Sequence, residues 1–131
     1  MEERPTPLWY VTNTRIMQEF VRKKHPSSAE IHEAGTALRE LRKRRAHHRN
    51  GVPEFGLWTH AQYGFGGRHS NRFIRVALRF SPAELAGKRH NLKTLEAILD
   101  QPVPLRAQLL EQVHPTAAAV AQAAAQLGAS P

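Results

Sequence analysis

The sequence predicts an α+β fold: a small antiparallel β-ribbon packed by two N-terminal helices, with a helical C-terminal third. Three observations predict it. From Arg72 the residues alternate, with Ile74, Val76, Leu78 and Phe80 on one side of an extended chain and Phe73, Arg75, Ala77 and Arg79 on the other. That period of two is a strand signature. Upstream, Val52–Tyr63 alternates more weakly, and Gly64-Phe65-Gly66-Gly67 supplies turn residues between the two runs, as in a hairpin. Elsewhere, apolar stripes recur at helical spacing behind capping residues.

Taken in order, Met1–Pro7 is polar and proline-bearing and is expected to be loose. Leu8–Val11 is a short run of strand formers, either a first strand or a segment laid on the core. Thr12, Asn13 and Thr14 are candidate N-caps for a helix carrying Ile16, Met17, Phe20 and Val21. Arg22, Lys23 and Lys24 suit its negative end, and His25-Pro26 stops it. Ser27-Ser28-Ala29-Glu30 reads as a capping box opening a second helix to about His48, with Ile31, Ala34, Leu38 and Leu41 inward. Gly35 either weakens that helix by about 1 kcal/mol or permits a close crossing. Asn50-Gly51 ends it.

After the hairpin, Ser81-Pro82-Ala83-Glu84 is a second capping box, with proline at the first helical position. Its helix is short, to about Ala86, and is interrupted by Gly87 and a polar KRHN run. Leu92, Leu95, Ile98 and Leu99 form another stripe, and Pro104–Val113 a further one. The segment after Pro115 is alanine-rich. It has high helix propensity but little area to bury, so it either frays or packs closely on a neighbour or a second copy. No linker divides the chain. It reads as a single domain over residues 1–131, with a basic α+β body over about 8–94 and an Ala-rich helical region over about 95–131.

Charge is the strongest bulk signal. The first 94 residues carry 18 of the 19 basic groups and 8 of the 11 acidic ones, a net of +10, and the remainder carries a net of −2. Most of the basic groups are arginine, whose planar fork suits phosphate. A basic body therefore points to a polyanionic partner, and the C-terminal helices to homo-oligomer or protein-partner contacts. The absence of cysteine removes disulfides and thiolate metal sites and suits a reducing compartment. No secretory signal or long apolar span is visible, so a cytoplasmic protein without a membrane partner is expected.

The expected function is nucleic-acid binding, to DNA or RNA, through two stretches. The first is the Arg-rich end of the second helix, with Arg39, Arg42, Lys43, Arg44, Arg45, His48 and Arg49. Such a run neutralises phosphates and releases counterions. The second is the ribbon, where Trp58, His60, Phe73, Arg75 and Arg79 project one way beside Arg68, His69 and Arg72 at the loop. Aromatics interleaved with arginine suit base stacking with backbone contact.

The eight histidines show no metal-ligand spacing, and no cofactor is expected. Acidic residues are too sparse for a two-carboxylate nuclease centre, and no catalytic residue is assigned.

The first alternative is a metal-independent ribonuclease using His and Arg for acid–base work and phosphate clamping. Its candidates are His47 or His48 with Arg42, or His60 and His69 with Arg68 and Arg75. The predicted order of strand, two helices and antiparallel strands resembles, at fold level, the ribosome-dependent mRNA-cleaving toxins. A second alternative is an interaction or inhibitor protein gripping an acidic partner. The run RFIRVALRFSPAEL also fits a ribbon-helix-helix reading, with Phe73, Arg75, Ala77 and Arg79 facing DNA.

Overall fold

The computed structural model describes residues 5–129. Every regular element among them is a helix. The predicted α+β fold and its β-ribbon are therefore overturned, and with them the toxin-like order and the ribbon-helix-helix reading. The loose N-terminus is expected over Met1–Pro7, and its first four residues lie outside the described residues.

Helix α1 (Leu8–Val21) begins at Leu8, so neither a first strand nor a cap at Thr12–Thr14 forms. Asn13 and Thr14 instead bond back to the carbonyls of Trp9 and Tyr10. Helix α2 (Ser28–Lys43) has the expected capping box: the Glu30 amide donates to Ser27 Oγ, and the Ser27 amide donates to Glu30 Oε1. It stops earlier than predicted. Arg45 takes a left-handed conformation at φ 55°, and a separate turn, α3 (Ala46–Arg49), follows.

The two predicted strands are helices α4 (Phe55–Tyr63) and α5 (Gly67–Arg79). The reason lies in spacing. Phe73, Ile74, Ala77 and Phe80 fall on one helical face, and Arg68, Arg72, Arg75 and Arg79 recur at intervals of four, three and four on the other. This is the 3.6-residue period, which a few alternating positions imitate. Val76 is buried in either conformation, but Leu78, expected in the core, is 55% exposed. In α4 the same holds: Trp58 and Thr59 are buried together. Gly64, at φ 86°, caps α4, and the linker to α5 is short.

The second capping box and its proline are in place at α6 (Pro82–Leu85). The remaining helices are α7 (Leu92–Leu99), α8 (Arg106–Glu111) behind a 3-10 turn, and α9 (Ala117–Ala129). Alanine-rich α9 packs on α7 of the same chain, burying Val120 and Ala124.

The α2–α5 pair is the centre of the molecule. The two run antiparallel: Arg42 meets Asn71, and His32 Nε2 lies 2.9 Å from the Phe80 carbonyl oxygen. Their approach is close because position 35 has no side chain. A Cβ there would stand 2.1 Å from the Phe73 carbonyl oxygen. α1 and α4 cover the pair on one side and α7 on another. The core joins Met17, Leu38, Leu41, Trp58, Ile74 and Leu95.

Candidate nucleic-acid interface

The antiparallel α2–α5 pairing brings the two basic stretches together. Arg42 of α2 donates to Asn71 Oδ1 of α5. Asn71 sits about one helical turn from both Arg68 and Arg75. Arg39, Arg42 and Lys43 of α2 and Arg68, Arg75 and Arg79 of α5 are all exposed. On α5 the arginine row lies on the face away from Phe73 and Ala77, which α2 crosses, so Arg42 and Asn71 are where the two basic stretches meet.

Not every arginine there is free. Arg72 turns to α7 and is held by Glu96, with bonds of 3.0 Å from Nε and 2.6 Å from Nη2 to Oε1. The pairing raises its guanidinium pKa further. Arg75 reaches Asp100 at 2.9 Å, on more exposed ground. Arg106 donates to the Arg79 carbonyl oxygen, leaving the Arg79 side chain outward.

At the far end of α2 the basic run divides. Arg44 bonds Glu40 at 2.8 Å and lies over the Trp9 ring, and its hydrogen bond lowers the Glu40 pKa. Arg49 lies over Tyr10. Arg44 therefore fastens α1 to the end of α2, and Arg49 fastens it to α3, through cation–π contacts. Arg45 and His48 are exposed. His47 is buried against Phe55, and its pKa is pushed down by burial and by the neighbouring His48 and Arg45.

The predicted stacking platform is absent. Trp58 is 1% exposed and Phe73 6%, so both rings belong to the core. Their expected face came from strand alternation; in helices the same residues turn inward. His60 is exposed on α4. His69 is half-buried between Phe65 and Phe73, and burial chiefly lowers its pKa, with Arg72 adding to the effect and Glu96 opposing it. Its Nδ1 is 3.3 Å from Arg72 Nη1. For the ribonuclease reading, this leaves His47 buried and Arg42 engaged with Asn71 rather than aimed at an imidazole. No group of three His, Asp or Glu able to hold a metal occurs among the described residues. Nor is any helix among them long and apolar enough to cross a membrane.

A second basic feature escapes the sequence reading. A cleft of 680 Å³ opens between α1, α5 and the start of α7, and Lys24, His25, Arg89 and Lys93 line it with His69 and Arg72. Its residues come from four separate segments, so no local motif announces it. A smaller cavity, near His90 and His114, is a structural joint: the two rings lie 5.8 Å apart, and each is within hydrogen-bond reach of an α8 carbonyl.

No family model matches the chain, and neither a curated protein nor a solved structure matches it.

Proposed function

We propose that the protein binds nucleic acid by its backbone, through the surface formed by Arg39, Arg42 and Lys43 of α2 and Arg68, Arg75 and Arg79 of α5. The observation that supports this reading is the Arg42–Asn71 bond, which sets an exposed arginine of the first basic stretch against the second, 29 residues on. Arginines spaced about a turn apart on a rigid helix pair suit a row of phosphates.

A duplex is the favoured form. None of the large exposed hydrophobic side chains of the described residues is aromatic. Single-strand binding without sequence preference rests on such rings as stacking platforms. Phosphate contact from exposed arginines needs none.

Fluorescence anisotropy against labelled single- and double-stranded DNA and RNA, at two salt concentrations, tests the reading. The expected result is micromolar or tighter binding to a duplex, falling steeply with salt. Failure to bind any of the four at low salt would overturn it and turn attention to an acidic protein partner. RNA cleavage that survives EDTA would favour the ribonuclease instead.

A further inference from the structure

We infer that the cleft between α1, α5 and α7 is a ligand site for a nucleotide: a planar ring system carrying one or two phosphates. This stands apart from the duplex-binding surface and does not depend on it.

The cleft has the size usual for small-molecule sites, about 300–1,000 Å³, at 680 Å³. Its lining is of two kinds. Phe20, Ile31, Phe73 and Leu92 are apolar and buried or half-buried. Phe20 and Phe73 pack edge to face, with centroids 5.3 Å apart. The lining also includes Lys24, His25, His69, Arg72, Arg89 and Lys93. Half of the lining residues are thus cationic or imidazole, and none is a carboxylate.

That charge exceeds what one carboxylate needs, which disfavours a fatty or aromatic acid. A phosphate dianion or diphosphate matches it better. Among the described residues, Lys24, Arg89 and Lys93 have no carboxylate partner. Arg72 does, and its ties to Glu96 hold the guanidinium in place beside His69 before any ligand arrives. The half-buried Phe20 and Leu92 in the lining favour a ring over a bare anion, because a ring buries apolar area that inorganic phosphate cannot.

Isothermal titration calorimetry on the full chain, with adenosine 5′-monophosphate and 5′-diphosphate as probes, tests the inference. Adenosine and inorganic phosphate serve as controls. Saturable binding with a Kd below about 100 μM is expected for at least one nucleotide, with each control at least about tenfold weaker. The double variant Lys24→Ala/Lys93→Ala should weaken nucleotide binding about tenfold or more. Arg39→Ala/Lys43→Ala should leave it unchanged while weakening duplex binding. All four side chains are exposed, so both variants should fold. Amide shifts of the isotope-labelled wild-type protein give an independent reading and should concentrate on His69, Arg72 and Leu92. No saturable nucleotide binding, equal binding of inorganic phosphate, or shifts confined to the α2–α5 surface would each overturn the site. Because duplex binding is measured separately, either can fail without the other.

Discussion

Position 35 sets how closely the two central helices meet. A Cβ there would also press on Ala77 at 2.9 Å, and the obstacle at 2.1 Å is backbone that cannot rotate away. Gly35→Ala should therefore destabilise the protein by about 2–3 kcal/mol despite alanine's better helix propensity. Gly66→Ala, with nothing within 4 Å of the added atom, should cost less, about 0.5–1 kcal/mol, for alanine's poorer fit at the N-cap of α5. Thermal melts of the two variants check the contrast. His47 makes a second prediction at this scale. Its folded pKa lies below the unfolded value, so at neutral pH the ring is uncharged in both states and no stability changes hands. As pH falls through the unfolded value, near 6.5, the unfolded chain takes up a proton that the fold resists, and stability drops. His69 acts in the same direction. The melting temperature should decline between about pH 7 and pH 5, and less so in His47→Phe. An equal decline in that variant would remove His47 from the account.

Among the elements, α5 does two jobs with one row of arginines. Arg72 is partly buried and doubly bonded to Glu96, so Arg72→Ala should cost about 1–3 kcal/mol by unpairing a carboxylate that is 20% exposed. Arg75 pairs with an Asp100 side chain that is 64% exposed, and Arg75→Ala should cost no more than about 0.5 kcal/mol. Denaturant melts separate the two; equal losses would contradict these assignments. The row itself was open to recognition. Its intervals of four, three and four are helical, whereas the strand reading used only the nine residues from Arg72 to Phe80. Including Arg68 and Arg72 breaks the pattern, because on a strand positions 68 and 72 fall on the opposite face from 75 and 79. The capping boxes were legible because their bonds are local, made between residues three apart.

At the scale of the molecule, the basic surface predicts a salt response. Removing one phosphate-binding side chain should lower the slope of log K against log salt by about 1. Arg39→Ala and Arg68→Ala should each do so, and the double variant should lose about twice as much. Arg44→Ala should leave the slope nearly unchanged, because that guanidinium is spent on Glu40 and Trp9. Anisotropy titrations over several salt concentrations check all three. A slope unaffected by the first two variants would move the interface elsewhere on the surface.

By itself the sequence determined the basic character of the chain, the capping boxes and the stripes of α1, α2 and α7. Those features depend on composition or on residues within a turn of one another. Only the tertiary structure decided that Arg42 meets Asn71, that Trp58 and Phe73 are core, and that Lys24, Arg89 and Lys93 converge on one cleft. Each of these is a relation between distant segments, set by how helices cross. Here the crossing turns on the missing side chain of Gly35 against the α5 backbone, one of the two roles that the sequence leaves open for that glycine.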